Sequence, residues 1–227
     1  MSREKGLIIA VDGPAGTGKS SVCCAVAKEL GYSFLSTGGL YRALAYKVFA
    51  EKVDPADAQA VLKVAKSLQF TFERQPDASL KMWVDGEYLG DKLHLDEVAQ
   101  TASKVSTHAD SRAVLTEKMR QAGARGGILM EGRDIGTVVF PDADVKIYLD
   151  ASAAVRAERR VKQLQEKGIP ADYKQILASI EQRDLRDSTR KASPLKPAAD
   201  AVRIDTSDLS MQEVIDTVLK EIKQHAS

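Results

Sequence analysis

The chain has 227 residues, of which 44% are hydrophobic and 29% charged, a composition that supplies a folded core and excludes disordered and fibrous classes. Its 33 Lys and Arg stand against 32 Asp and Glu, a net charge of +1, so no global field draws it to a nucleic-acid polymer or an anionic membrane. The length fits one sizeable α/β domain, with room for a smaller insert but not for two unrelated large domains.

The first apolar run, Leu7 to Val11, ends at Asp12-Gly13. It is too short for a signal-peptide core or a membrane span, which makes the cytoplasm the expected compartment. It suits a parallel strand buried on both faces. Directly after it, Gly13-Pro14-Ala15-Gly16-Thr17-Gly18-Lys19-Ser20 fits the pattern G-x-x-x-x-G-K-[ST] without a mismatch. Beyond the loop Val22, Val26 and Leu30 share one helical face, and Gly31 stands where a helix C-cap glycine belongs. Strand, glycine-rich loop and helix are the context this motif requires. Its chemistry follows: curled backbone N–H groups face an anion, Lys19 spans the β- and γ-phosphates of ATP, and the Ser20 hydroxyl ligates the accompanying Mg²⁺. The expected ATP-binding run extends through Ser21. Cys23 and Cys24 are neighbours that cannot form a long-range staple, which points to packing roles in a reducing compartment.

A second strand at Ser33 to Leu35 leads into Ser36-Thr37-Gly38-Gly39-Leu40-Tyr41-Arg42, a small turn opening a helix with an Arg in its second turn, a pattern suited to gripping an acceptor phosphate. The stretch from Phe70 to Leu89 reads as antiparallel hairpins, with turns at Pro-Asp and Asp85-Gly86, and so as an insert. Helices at about 96–107 and 111–123 then lead to a strand at Ile128 to Met130. At its carboxyl end stands Glu131-Gly132-Arg133-Asp134-Ile135-Gly136-Thr137, a charged cluster at the sheet edge where open α/β folds bind ligands. A structural loop salt bridge is the alternative. Strands at Val145 to Leu149 and Ala201 to Ile204 bring the count to about five, giving a doubly wound α/β class. The histidines, His94, His108 and His225, lack metal-ligand spacing.

Arg156 to Lys196 carries 11 basic against 6 acidic residues. Taken alone, such a run is a solvated helical face. Within it, however, Arg156, Arg160 and Lys167 form a stripe beside the apolar Ala157, Val161 and Leu164, with Arg159 close by. Arg183, Arg186, Asp187 and Arg190 fall at i, i+3, i+4 and i+7 and project from one helical face. Three arginines there repel one another until an anion arrives. A phosphate loop by itself does not choose between a kinase, a GTPase and an ATP-driven binding machine. The base-reading Asn-Lys-x-Asp of GTPases is absent, and a second set of anion-binding residues favours a kinase.

Taken together, Gly-Pro-Ala-Gly-x-Gly-Lys-Ser, Thr-Gly-x-x-Tyr-Arg, the segment Glu131 to Ala143, Gln-Leu-Gln-Glu-Lys-Gly and Arg-Asp-x-Arg-Asp-x-x-Arg resemble the bacterial cytidylate kinases over nearly the whole chain. The resemblance implies a P-loop kinase-type five-stranded parallel sheet with helices on both faces, a small antiparallel substrate-binding insert and a short helical lid. It implies one domain over 1–227: a core of 1–66, 124–155 and 195–227, a CMP-binding arm at about 67–123 and a lid at about 156–194. The implied reaction carries a phosphoryl group from ATP to CMP or dCMP, in a monomer. By matching position, Arg42 and Arg133 resemble the acceptor-phosphate clamp, with Thr37 and Tyr41 also in the substrate site. Ser103, Arg112 and Asp134 resemble the cytosine readers, and Arg183 and Asp187 the ribose contacts. Arg160 and Arg190 resemble lid-side charges on the transferring phosphoryl group. Thr37 stands where Ser is common and Glu131 where Asp is common, each keeping its functional group.

Overall fold

The computed structural model describes residues 4–225. Five strands, β1 (Ile8–Asp12), β2 (Ser33–Ser36), β6 (Ile128–Gly132), β7 (Val145–Asp150) and β8 (Val202–Asp205), form a parallel sheet in the order β2–β6–β1–β7–β8. Every residue of β1 is buried because it pairs on both sides, Ile9 with Leu129 and with Val145, and is covered on both faces. The period of two along the strand divides the core. Ile8 and Ala10 join one apolar cluster, Ile9 and Val11 the other.

On the Ile8 face lie α2 (Gly38–Ala50), α3 (Ala58–Ser67), α4 (Asp96–Val105) and α5 (Ala109–Gly123). On the Ile9 face, α1 (Lys19–Leu30) and α8 (Met211–His225) supply Val22, Val26, Val214 and Val218. A helical pair, α6 (Ala153–Glu166) and α7 (Tyr173–Thr189), packs together beyond the carboxyl edge. The expected hairpins are present as a separate antiparallel sheet, β3 (Phe70–Arg74), β4 (Leu80–Val84) and β5 (Glu87–Tyr88). Asp85 and Gly86, at φ 52° and 78°, make the tight turn between the last two strands. The other turn is fastened to the main sheet, where the Phe34 N–H donates to the Ala78 carbonyl at 2.8 Å.

Two elements escape the sequence reading. Helix α3 starts at Asp57, whose carboxylate accepts from the Gln59 and Ala60 N–H groups at 3.0 Å, and it buries Val61, Val64 and Ala65. The Asp cap and the apolar spacing were its signal. A π-helical turn, Ile135–Val139, follows β6 and is closed by the Phe140 N–H donating to the Ile135 carbonyl at 2.7 Å. Such turns carry no sequence pattern of their own, and they concentrate at functional sites.

Candidate active site

The phosphate loop leaves β1 beside the backbone of β7. Gly13 has φ +149°, and a Cβ there would lie 2.0 Å from the Leu149 carbonyl oxygen. Gly18, at φ +85°, turns the chain into α1 and aims its first N–H groups into the loop. Lys19 is buried and donates from Nζ to the Pro14 carbonyl at 2.5 Å and to Thr17 Oγ1 at 3.3 Å. Burial, with Arg133 adding repulsion, pushes the Lys19 ammonium down to about 7, against the pull of Glu131 and Asp12. Ser20 Oγ donates to Glu131 Oε1 at 2.7 Å, and Ser36 Oγ donates to the same oxygen at 2.6 Å. The second oxygen, Glu131 Oε2, is buried with no hydrogen-bond partner. Ser21 lies exposed on the next position of α1.

Across the carboxyl edge from this loop lies a cleft. The walls are Thr37, Tyr41 and Arg42 at the start of α2, Ser103 on α4, Arg112 on α5, Arg133 and Asp134 after β6, and Arg183, Asp187 and Arg190 at the end of α7. The fold thus brings together all the residues that the resemblance places around the acceptor, and Arg190 with them. Arg160 is not among them; it is exposed on α6 and donates to Gln163 Oε1 at 2.6 Å. The Thr37 hydroxyl is buried and donates to the Glu131 carbonyl at 2.8 Å.

Ion pairs order the cleft. Arg112 Nη2 meets Asp134 Oδ2 at 2.5 Å, both groups buried, while Nη1 donates to the Ser106 carbonyl and the guanidinium lies 5.0 Å over the Tyr41 ring. Arg133 Nε donates to Asp187 Oδ2 at 3.1 Å. Arg190 Nε is fixed by the Ser193 carbonyl at 2.6 Å, whereas its Nη2 stands 4.0 Å from Asp134 Oδ1, beyond hydrogen-bond reach. Arg186 reaches across from α7 and donates to Ser103 Oγ. Five guanidiniums therefore share two carboxylates. Burial lowers the proton affinity of Arg42, Arg183 and Arg190. Arg133 repels both Arg42 and Arg183, and Arg112 repels Arg190. The cleft carries uncompensated positive charge, the condition for holding a multiply charged anion.

Two residues turn out differently from the sequence reading or were missed by it. Arg156 is not part of a solvated stripe: it is buried, pairs with Asp184 through two hydrogen bonds of 3.1 and 2.5 Å, and donates to the carbonyls of Ala15 and Ala151. It ties α6 and α7 to the phosphate loop. Asp12, passed over as the end of a strand, is buried and accepts from the Ile135 N–H with Oδ1 and the Gly136 N–H with Oδ2, each at 2.8 Å. Burial pushes its carboxyl up to about 6, while those two N–H groups pull it back. A charged residue closing an otherwise apolar strand was the available signal.

A phosphate loop facing a cationic cleft across the carboxyl edge of a parallel sheet defines a P-loop kinase. Solved kinases share the fold: a shikimate kinase from Bacteroides thetaiotaomicron superposes with a TM-score of 0.52 at 9% identity, covering 96% of this chain and 98% of that one. A gluconokinase from Sinorhizobium meliloti gives 0.51 at 14% identity, covering 99% and 95%. More particularly, the chain belongs to the cytidylate kinase family, whose profile matches residues 9–224. It is 42% identical to a cytidylate kinase of Pasteurella multocida over 96% of either chain, and 41% identical to one of Enterococcus faecalis over 95% of either. Among the described residues no helix is long and apolar enough to cross a membrane.

Proposed function

We propose that this kinase transfers the γ-phosphoryl group of ATP to CMP or dCMP, giving ADP and CDP or dCDP. The observation that carries this reading beyond the family is the set of unsatisfied groups in the cleft. Asp134 Oδ1 has no hydrogen-bonding donor within reach, and Arg112 Nε is buried without an acceptor. A free acceptor beside a free donor complements cytosine, which offers an N4 amino donor next to acceptors at N3 and O2. Uracil would set acceptor against acceptor and donor against donor.

The division of labour follows. Arg42 and Arg133 hold the acceptor phosphate, Asp187 keeps Arg133 oriented, and Arg183 and Asp187 contact the ribose. Thr37 shapes the turn from which Tyr41 and Arg42 project. The acceptor phosphate, with a second pKa near ~6, is already mostly dianionic at pH 7, so no general base is needed. Catalysis is alignment and charge stabilisation, with Lys19, Arg160 and Arg190 converging on the γ-phosphoryl oxygens. Ser20 Oγ and the orphaned Glu131 Oε2 suit Mg²⁺, which keeps several waters and takes few protein ligands. Arriving with ATP, that ion would neutralise charge on the β- and γ-phosphates. The core, arm and lid divisions given above are the units we expect to move, with the 156–194 lid bringing Arg160 inward and excluding water. One chain supplies both subsites, so a monomer in the cytoplasm suffices.

The test is ADP release with CMP, dCMP, UMP, AMP and GMP in turn. CMP or dCMP should exceed UMP by about 10² in kcat/KM. Equal turnover of UMP, or ATP turnover indifferent to any nucleotide, would defeat the reading.

A further inference from the structure

The geometry points to Asp12 as a positioning residue that sets the separation of the two substrates by joining the donor loop to the acceptor loop. This rests on the reading above. The Asp12 carboxylate is one residue from Gly13, where the phosphate loop begins. Its two oxygens are each held at 2.8 Å by the N–H groups of Ile135 and Gly136, the residues directly following Arg133 and Asp134. The N–H groups concerned open the π-helical turn, whose closing bonds use the N–H groups of Val138, Val139 and Phe140. The turn therefore depends on Asp12 for its first two donors.

Both ends of this link are stiff. On one side Asp12 pairs with Gly132 in β6 and Tyr148 in β7, in the middle of the sheet. On the other, Ile135 and Gly136 are buried, and a Cβ on Gly136 would approach the Lys146 side chain to 3.2 Å and Asp12 Oδ2 to 3.5 Å. The carboxylate is also fully occupied. With both oxygens taken by backbone donors it is not disposed to accept a proton from the acceptor, and its role is geometric. In-line transfer between two bound phosphates depends on their separation, and a displacement of about 1 Å costs on the order of 10²-fold.

The test is Asp12→Asn, a near-isostere whose amide oxygen can accept one N–H while its NH₂ faces the other, donor against donor. We expect kcat for CMP phosphorylation to fall about 10²-fold with the KM values for ATP and CMP within about threefold of wild type. The second readout is stoichiometry: ADP released per CDP formed should rise from one to roughly two or more, as water competes with a misplaced acceptor. That ratio is taken per turnover, so a smaller folded fraction does not change it. Should Asp12→Asn fail to fold, Gly136→Ala presses on the same link from the other side and should give the same signature. A kcat within threefold of wild type, or a lower kcat with one CDP still formed per ADP, overturns the proposal. Wild-type enzyme run in parallel separates the two ideas, since absence of CMP-dependent ADP release there would defeat the substrate reading itself.

Discussion

The phosphate loop and the acceptor cleft face one another across the sheet edge, yet they are built in opposite ways. The loop is one contiguous segment: strand, glycines and helix dictate its shape, and in the empty protein Lys19 is satisfied by the loop's own Pro14 carbonyl and Thr17 hydroxyl. The cleft is assembled from α2, α4, α5, the end of β6 and α7, and is held by ion pairs such as Arg112–Asp134 and Arg133–Asp187 between elements distant in sequence. A local site of this sort survives small movements of its surroundings. A composite one is complete only when its elements are in register, which makes the cleft the side on which specificity and closure can be controlled.

The comparison is broken most sharply at Lys19. If the loop works as a self-contained electrostatic unit, Lys19→Ala should lower the steady-state rate by about 10³-fold or more, with a melting curve close to wild type; retention of more than about a tenth of the rate would contradict it. Arg160 tests whether the lid completes the donor side, since it lies exposed in this conformation. Arg160→Ala should reduce kcat by about 10² to 10³ with little change in the KM for CMP, whereas Arg190→Ala, in the acceptor cleft beside Asp134, should raise that KM as well. A tenfold rise in KM with unchanged kcat for Arg160→Ala would make it a ground-state grip.

Asp134→Asn sharpens the composite side. It should lower kcat/KM for CMP by about 10² and shrink the CMP to UMP ratio, because the new NH₂ can donate to the uracil O4. If Asp134 serves only to orient Arg112, both substrates should suffer equally, and an unchanged ratio removes it from base reading. The smallest effect is protonic. The Lys19 ammonium is held at about 7 in the empty loop, below its usual value, so above that pH the free enzyme lacks a proton that a bound polyphosphate restores. ATP binding should weaken by up to about tenfold per pH unit above pH 7. At pH 8.5 it should take up close to one proton, measured by calorimetry in buffers of differing ionisation enthalpy. No uptake there would mean that Lys19 is already charged in the empty loop.

The same contrast governs how much could be read from the sequence. The five-stranded sheet and the insert are legible because apolar runs and turn residues act locally, and the phosphate loop because its residues are adjacent. The arginines at 42, 112, 133, 183 and 190 share no local pattern; only the family resemblance joined them before the fold placed them around one cleft. Arg156 shows a different limit. Helical spacing puts it on the same stripe as Arg160, and nothing in that spacing says that Asp184 and the Ala15 carbonyl bury one and leave the other in water. Asp12 was missed because its partners are backbone N–H groups, which every sequence contains.

Gly13 has a bearing on descent. Its first impediment to substitution is the Leu149 carbonyl, 2.0 Å from where a Cβ would stand, and not a nucleotide. Should a lineage of this protein lose its nucleotide and drift, Lys19 and Ser20 would be released to vary, while Gly13 would persist for as long as β1 lies beside β7. A surviving glycine at that position in a distant descendant would therefore record the ancestry of the sheet, and would be no testimony that the descendant still handles phosphate.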